Sequence, residues 1–287
     1  MNKLGLHALV WVGGWSPHDC RVAVESTQEA GYDLIEIPVL DPSSIDVADT
    51  AQVLERAGIG ATCSLGLSFD ADISSDDPAI VARGATLLDE ALAVARDLGS
   101  PYLGGVITGA LGKYDRMPTA RGWEHCAGAL RTLAERAAAS GITLGIEVVN
   151  RYDSNLINTA DQALRMIDDI GAPNVVVHLD TYQMNIEETD FRRPVLAAGD
   201  RLGYVHISES HRGYLGTGTV DFDTFFATLR EIGYAGTIVF ESFSAAVVSP
   251  QLSTTLGIWR EHWTDGMDLA RHARAFMRER LTDGMIG

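Results

Sequence analysis

The sequence predicts a single-domain α/β protein, a closed (β/α)8 or TIM barrel that takes up all 287 residues. Seven glycines each end an amphipathic stretch and precede an apolar one, and a further apolar stretch opens the chain. Strict helix–strand alternation gives either a doubly wound sheet or a closed barrel. Eight units without a glycine-rich phosphate-binding turn favour the barrel. No Pro/Ser linker or change of composition divides the chain, so we expect one domain.

The first strand is predicted over residues 4–11, and glycines mark the helix-to-strand junctions that follow it. Glycine readily adopts the left-handed conformation that ends a helix. The junction glycines are Gly31, Gly58, Gly99, Gly141, Gly171, Gly199 and Gly233. The apolar runs after them supply seven more strands. The N-terminal stretch carries one lysine and no small-residue cleavage pattern, which favours a strand over a signal peptide.

The helices carry their own signals. Apolar residues recur at helical spacing over residues 78–98. Thr159 and Gln162 form a capping-box pattern at the start of another helix. Asp223 is the expected N-cap of the helix before the eighth strand, and a last helix is predicted over residues 260–281.

Composition excludes several classes of partner. A hydrophobic content of 46% supports a large core, and a formal charge of −17 disfavours a nucleic-acid partner, which needs basic groups to neutralise phosphates. No apolar run reaches membrane-spanning length, so no membrane partner is expected. Cys20, Cys63 and Cys126 lie far apart without a CxxC pair and are interpreted as reduced thiols. The sequence therefore predicts a cytoplasmic protein.

Four potential metal ligands lie at or near the ends of predicted strands five to eight. They are Glu147, Asp180, His206 and Glu241, separated by 33, 26 and 35 residues. Successive side chains of a strand point to opposite faces, and this alternation places all four on the inward face. Active sites of such barrels lie at the C-terminal ends of the strands. We therefore expect the four side chains to meet there.

The residue types indicate a metal centre. A lone strand-end carboxylate is often part of a loop salt bridge, but buried carboxylates are costly unless they are paired or bind a cation. Three carboxylates and one imidazole suit Mn²⁺, Co²⁺ or Mg²⁺. We expect one such ion per subunit, Mn²⁺ first, and no organic cofactor. His178, two residues before Asp180, is expected to support the ligands from the barrel interior.

Several stretches resemble the ketose 3-epimerases, the group of D-tagatose, D-allulose and L-ribulose 3-epimerases. The most specific are GIEVVNRYDSNLINT, HLDTYQMNIEE, HISESHRGYLGTGTVDF and FES, which contain the four ligands. Weaker similarity extends to HALVW, CSLGL and GGVITGALGKY nearer the N-terminus. The wider superfamily includes xylose isomerase-like proteins, inosose dehydratases and endonuclease IV-type nucleases, so fold alone does not decide function.

The resemblance implies roles for particular residues. The four ligands would hold one divalent ion, and Glu147 and Glu241 would also be the catalytic carboxylates on opposite faces of the sugar. Arg212 matches an arginine that contacts substrate near the carbonyl. Asp153 and Gln183 stand where the family usually has Glu and His, which contact the O1–O2 end of the sugar. The resemblance implies that these departures leave the core chemistry in place, and that they either change the substrate specificity or are neutral substitutions.

Other residues are candidates for the wall of the pocket. His7 and Glu36 lie on the first two strands and could line the site or serve as structural polar groups. Trp11, Trp15 and Tyr114 could form an apolar wall or be ordinary packing aromatics.

The sequence thus predicts a metal-dependent ketose 3-epimerase that acts on a free, unphosphorylated ketohexose or ketopentose. The alternative is another enediolate reaction: aldose–ketose isomerisation, or a lyase or dehydratase acting on a 3-oxo sugar or glycoside. A zinc phosphodiesterase would need more histidines and a basic face, and a sugar-binding protein would not need both catalytic carboxylates. A homodimer or homotetramer is expected.

Overall fold

The computed structural model describes residues 2–282, and in it eight parallel strands close into one barrel in sequence order. This confirms the predicted fold. The strands are β1 (Leu4–His7), β2 (Leu34–Pro38), β3 (Gly60–Leu67), β4 (Tyr102–Ala110), β5 (Thr143–Glu147), β6 (Val175–Asp180), β7 (Leu202–Ile207) and β8 (Thr237–Phe240).

The helices surround the barrel and connect its strands. They are α1 (Pro17–Glu29), α2 (Val47–Ala57), α3 (Pro78–Asp97), α4 (Ala120–Ala139), α5 (Ala160–Ile170), α6 (Thr181–Glu187), α7 (Arg193–Ala198), α8 (Phe222–Glu231), α9 (Pro250–Leu256) and α10 (Gly266–Thr282). Short 3₁₀ turns add to the connections at Ala8–Val10, Pro42–Ser44, Phe69–Ala71 and Gly199–Arg201. No described helix is long and apolar enough to cross a membrane.

Local signals in the sequence explain most helix ends. All seven junction glycines have positive φ angles. At Gly58, the left-handed C-cap of α2, the backbone N–H donates to the carbonyl of Leu54 at 2.9 Å. The predicted capping box of Thr159 and Gln162 is present at the start of α5, with both reciprocal hydrogen bonds formed.

Two ends of elements differ from the prediction. The first strand stops at His7, because the His7 side chain accepts a hydrogen bond from the backbone of Leu9 at 3.2 Å and starts a 3₁₀ turn. The last helix begins at Gly266 instead of residue 260. Asp265 accounts for this start, since its carboxylate accepts from the backbone N–H groups of Met267 and Asp268.

The N-cap of α8 is also different. Asp221, two residues before the predicted Asp223, accepts from the backbone N–H of Thr224 at 3.0 Å. Asp223 lies in the first turn, where a negative charge still suits the positive end of the helix dipole. Aspartate is a favourable N-cap residue at either position, and the backbone conformation determines which of the two caps the helix.

The faces of strands β5 to β8 are as predicted. The residues expected to pack against the helices are all fully buried: Ile146, Val177, Leu179, Val205, Ile207, Ile238 and Phe240. Strand register then aligns the inward residues. Glu147 pairs with His178 across β5 and β6, and Asp180 pairs with His206 across β6 and β7. The predicted ligands therefore reach the same level at the C-terminal end of the barrel.

Aromatic rings fill the barrel below that level. Tyr102 stacks on Tyr204 with ring centroids 3.9 Å apart, and the Tyr204 hydroxyl lies 2.7 Å from Thr62. Gly145 makes room for this layer, because a Cβ there would collide with the Tyr102 hydroxyl. Packed side chains thus fill the barrel interior beneath the site. All three cysteines are buried and free, as expected.

Candidate metal and substrate site

The four predicted ligands come together at the open end of the barrel. Glu147 and Asp180 are the last residues of β5 and β6, His206 is next to last in β7, and Glu241 directly follows β8. Their exposed fractions are 7%, 0%, 1% and 6%. Three carboxylates and an imidazole therefore share one buried volume.

The geometry within this cluster fits a metal ion. His206 Nδ1 lies 3.5 Å from Glu147 Oε1 and 3.4 Å from Glu241 Oε1. Ligand atoms of Asp180, His206 and Glu241 all lie within 4.8 Å of one another, and Glu147, His178 and His206 form a second such group. Among the described residues, Nδ1 of His206 has no hydrogen-bond partner. Burial would lower the pKa of His206, but Glu36, Glu241 and Glu147 outweigh it and raise that pKa well above its usual value. The cluster therefore favours positive charge at this position, and carboxylates around an imidazole nitrogen are a donor set that suits a divalent cation.

Glu36 fixes the other side of the His206 ring. Its Oε2 accepts from His206 Nε2 at 2.9 Å and from the Tyr204 hydroxyl at 2.7 Å. When Nε2 carries the proton, Nδ1 of the neutral ring is free to bind a cation. Burial would raise the pKa of Glu36, but His206 and His7 outweigh it and hold that pKa well below its usual value. Glu36 is fully buried, with His7 Nε2 3.6 Å away, and both border the cleft.

His178 supports the cluster from below, as the sequence predicts. Its ring packs edge-to-face on His206 with centroids 4.2 Å apart, and its Nδ1 lies 3.0 Å from the Tyr102 hydroxyl. Burial lowers the pKa of His178 well below its usual value, so the ring is neutral. A neutral imidazole holds the His206 ring in place without adding positive charge to the cluster.

The two candidate catalytic carboxylates have opposite electrostatic environments. Burial raises the pKa of Glu147. Burial would also raise the pKa of Glu241, but the charges of Arg212 and His206 outweigh it and lower that pKa. Burial raises the pKa of Asp180 to about 7. The two environments therefore shift the pKa values of Glu147 and Glu241 in opposite directions, as in sites that hold an acid and a base together.

Arg212 lies beside these carboxylates, where the sequence predicts a substrate contact. Its Nη1 donates to Glu241, to Asp180 Oδ2 at 3.3 Å and to Ser208 Oγ at 3.0 Å. The guanidinium sits 4.0 Å from the ring centroid of Tyr182 and 4.7 Å from that of Phe243. These contacts hold the positive charge of Arg212 at the wall of the cleft.

The backbone of Arg212 is strained. It is the only non-glycine residue of the described chain with a positive φ, at 59°, which costs about 1–2 kcal/mol. Its N–H donates to the carbonyl of Glu209 at 2.8 Å, and its own carbonyl accepts from Ser242 Oγ. Trp263 Nε1 donates to that same Ser242 Oγ at 2.7 Å. Sequence reasoning missed Ser242 and Trp263, since these contacts exist only in the folded chain.

Asp153 and Gln183, the two departures from the family pattern, are linked in one network. The Gln183 amide donates to Asp153 Oδ2 at 3.1 Å, and its oxygen accepts from the backbone N–H of Asn150 at 2.8 Å. Asn150 Nδ2 also donates to Asp153 Oδ2 at 2.8 Å. Both Asp153 and Gln183 line the cleft. Asn150 was missed, although an Asn three residues before Asp153, accepting from the Tyr152 N–H, is a recognisable turn signal.

The catalytic cleft occupies about 590 Å³ including its open mouth. Its apolar wall is formed by Phe243, Leu9 and aliphatic residues of neighbouring loops. Trp11, Trp15 and Tyr114 lie outside the cleft. Each uses its polar atom elsewhere: the indoles donate to Thr27 and Thr50, and the Tyr114 hydroxyl donates to Asp72. Of the two interpretations of these aromatic residues, the structure therefore agrees with ordinary packing.

Comparisons with known proteins agree with this geometry. The family model described as Xylose isomerase-like TIM barrel matches residues 24–280. The chain is 50% identical to a ketose 3-epimerase of Arthrobacter globiformis, over 98% of this chain and 97% of that protein. It is 51% identical to an L-ribulose 3-epimerase of a Methylomonas species, over 97% of each.

A solved structure gives the same result. The crystal structure of a D-allulose 3-epimerase from Methylomonas sp. in complex with D-allulose superimposes with a TM-score of 0.96 at 51% identity, covering 97% of each chain. The chain therefore belongs to the xylose isomerase-like TIM barrel family and, within it, to the ketose 3-epimerases, which are carbohydrate isomerases.

Proposed function

We propose that this chain interconverts the C3 epimers of a free ketohexose or ketopentose with one divalent metal ion. The observation that carries the proposal is the buried cluster around His206 Nδ1, an unpartnered nitrogen between two carboxylates of opposite pKa shift. Glu147, Asp180, His206 and Glu241 would hold the ion. The identity of close relatives, named ketose and L-ribulose 3-epimerases, supports the reaction class.

The reaction needs two proton carriers. Epimerisation removes the C3 proton next to the C2 carbonyl and returns a proton to the opposite face of the resulting enediolate. Ionised Glu241 is suited to remove the proton, and protonated Glu147 is suited to supply one; the reverse reaction exchanges their roles. When bound, a divalent ion supplies Lewis-acid stabilisation of negative charge on the sugar oxygens. Nothing in this scheme requires an organic cofactor.

Other residues would position the sugar. Arg212 holds a positive charge beside the acid–base pair, where it stabilises developing negative charge on the substrate. Asp153 accepts from the Asn150 and Gln183 amides through Oδ2, which leaves Oδ1 as an acceptor for a sugar hydroxyl. Phe243 provides an apolar surface against the carbon chain.

A test combines metal replacement with isotope labelling. Protein stripped of metal is reloaded with Mn²⁺, Co²⁺ or Mg²⁺ and incubated with a panel of free ketoses in D₂O. We expect activity only with metal, with deuterium at C3 and the carbonyl still at C2. A carbonyl moved to C1 would indicate aldose–ketose isomerisation instead. His206→Ala should abolish metal-dependent activity, whereas His125→Ala, outside the cleft on α4, serves as the control.

Three further expectations stay predictions. Mn²⁺ is the ion we expect first, the protein is expected in the cytoplasm, and the chain is expected to form a homodimer or homotetramer. Metal analysis of purified protein and light scattering would measure the first and the last.

A further inference from the structure

A second cleft adjoins the catalytic one and has no part in the proton transfers. The two share Asp153, Arg212, Phe243 and Leu256 as a common wall. The second cleft encloses about 710 Å³ including its open mouth. The shared residues place the two clefts side by side.

The outer wall of the second cleft is an ordered part of the fold. It belongs to the connection between β8 and α10, residues 241–265, which contains α9. The Ala245 N–H donates to the carbonyl of Arg260 at 3.3 Å, and Ser244 Oγ donates to the carbonyl of Trp263 at 2.8 Å. These hydrogen bonds hold the two ends of the connection together.

Trp259 is the most conspicuous side chain of this wall. It is 72% exposed, whereas Trp15 and Trp263 are only 8% and 4% exposed. Its indole offers a large apolar face to a ligand beside the cleft. The rings of Tyr182 and Phe243 line the same cleft. Three aromatic side chains therefore border this space.

Hydrogen-bonding groups without a protein partner lie close to Trp259. Within residues 2–282, the side chains of Arg260 and His262 form no hydrogen bond or ion pair, although both line the cleft. His211 differs, because its Nδ1 accepts from the Gly213 N–H and its Nε2 pairs with Thr217. Arg260 and His262 are thus the groups available to a ligand.

The charges of the second cleft are of both signs. Arg212 is already paired with Asp180 and Glu241, and the carboxylate of Asp153 is opposite in sign to the unpaired Arg260, so formal charge alone does not select an anion. Partial burial and neighbouring Arg260 lower the pKa of His262, so this ring is neutral at pH 7. Exposed aromatic faces with a few polar donors suit a sugar ring, whose C–H face packs on an aromatic side chain while its hydroxyls accept hydrogen bonds.

We propose that the second cleft binds a second sugar ring linked to the ketose, so that the substrates of this chain include ketose disaccharides. The inference rests on the proposed function, since the ketose unit occupies the catalytic cleft. Trp259 stacks on the second ring, and Arg260 and His262 donate to its hydroxyls.

The test compares D-fructose with disaccharides in which glucose is attached to fructose at O1, O4 or O6, using the Mn²⁺-loaded enzyme. We expect at least one disaccharide to be epimerised at its fructose unit with a KM about tenfold below that of D-fructose. Trp259→Ala should lower the ratio of disaccharide to monosaccharide kcat/KM by about the same factor. Met117→Ala, 82% exposed and outside both clefts, should leave the ratio unchanged.

Three results would overturn the inference. The first is a kcat/KM for every disaccharide that is below that for D-fructose, and the second is a higher kcat/KM for a disaccharide that persists in Trp259→Ala. The third is a change of oligomer mass in Trp259→Ala with equal effects on kcat/KM for both substrates. Calorimetric binding of the same sugars separates this inference from the proposed function. If no ketose is turned over, the proposed function fails. Disaccharide binding that depends on Trp259 would still support a sugar site in the second cleft, and a lack of such binding would contradict that site.

Discussion

At the scale of single residues, Glu147 and Glu241 have different surroundings although both lie at strand ends. Arg212 contacts Glu241 directly, whereas within residues 2–282 Glu147 has no arginine partner. Under the proposed function, this difference suits one side chain to donate a proton and the other to accept one, and it predicts that neither can replace the other.

Replacing either glutamate with glutamine tests these roles. Gln keeps the size and one oxygen ligand but cannot exchange a proton. We expect Glu147→Gln and Glu241→Gln each to lower kcat by at least about 10²-fold, with metal and substrate binding retained in at least one of them. Kinetics, metal content and calorimetry measure this, with the exposed Glu135→Gln on α4 as control. Substantial turnover in either variant would assign the proton transfer to another group.

Asp153 and Gln183 carry the prediction on substrate choice. The two side chains are joined by a hydrogen bond at one end of the pocket. At the positions where the family usually has Glu and His, this chain has a shorter carboxylate and an uncharged amide, so we expect this end of the pocket to be roomier. We expect the preferred substrate to be L-ribulose or a modified keto-sugar instead of D-tagatose or D-allulose. Sites that hydrogen-bond a specific hydroxyl discriminate strongly against analogues that lack it.

The double variant Asp153→Glu with Gln183→His should therefore raise kcat/KM for D-tagatose or D-allulose relative to the native preference. Each single variant serves as the comparison, because the two side chains are hydrogen-bonded and should act together. An unchanged ranking across a ketose panel would place specificity elsewhere in the cleft.

At the scale of elements, the connection from β7 to α8 depends on one buried carboxylate. Glu209 accepts hydrogen bonds from the backbone N–H groups of Ser210, Gly216 and Val220 at 2.8, 2.9 and 3.3 Å. Burial would raise the pKa of Glu209, but these N–H donors outweigh it and lower that pKa. Because the same connection carries Arg212, its order should control the position of the guanidinium.

This arrangement predicts a pH dependence. A carboxylate with a lowered folded-state pKa stabilises the fold above its unfolded value, about 4.3, and that stabilisation disappears as the pH falls through the folded value. We expect amide-exchange protection of Gly216 and Val220 to persist at neutral pH and to decrease below pH 4. Glu209→Gln should lose about 1–3 kcal/mol of stability and raise the KM for ketose. Equal protection in the variant at pH 7 would contradict this role.

At the scale of the whole molecule, the fold gathers acid groups at one end of an already acidic chain. The formal charge is −17, and Glu147, Asp180 and Glu241 are buried together. Unpaired charges in such a place reduce stability. A cation that binds only the folded chain should therefore stabilise the molecule as a whole.

Removal of metal should accordingly lower the melting temperature. Restoring Mn²⁺ at 100 times its dissociation constant should add about 2.7 kcal/mol to the free energy of unfolding. Potassium chloride at equal ionic strength is the control, because screening alone also relieves repulsion in an acidic protein. A similar gain from potassium chloride, or a full Mn²⁺ gain in His206→Ala, would contradict specific binding by these ligands.

Local patterns were sufficient to predict the barrel and the positions of the four inward-facing candidate ligands. The positions of the glycines and the alternation of side chains between the two faces of a strand are local properties. They are sufficient to place Glu147 and His206 at or near the C-terminal ends of their strands. The resemblance to the ketose 3-epimerases added the roles of Arg212, Asp153 and Gln183. All of these side chains lie together in the structure.

How those residues are held, and what lies beside them, follows only from the folded structure. The partners of the ligands come from distant parts of the chain: Glu36 meets His206 across 170 positions, and Ser242 meets Arg212 across 30. No local pattern encodes such pairs, because they depend on strand register and on loops that pack over the barrel. The left-handed backbone of Arg212 and the second cleft beside Trp259 arise from the same long-range packing.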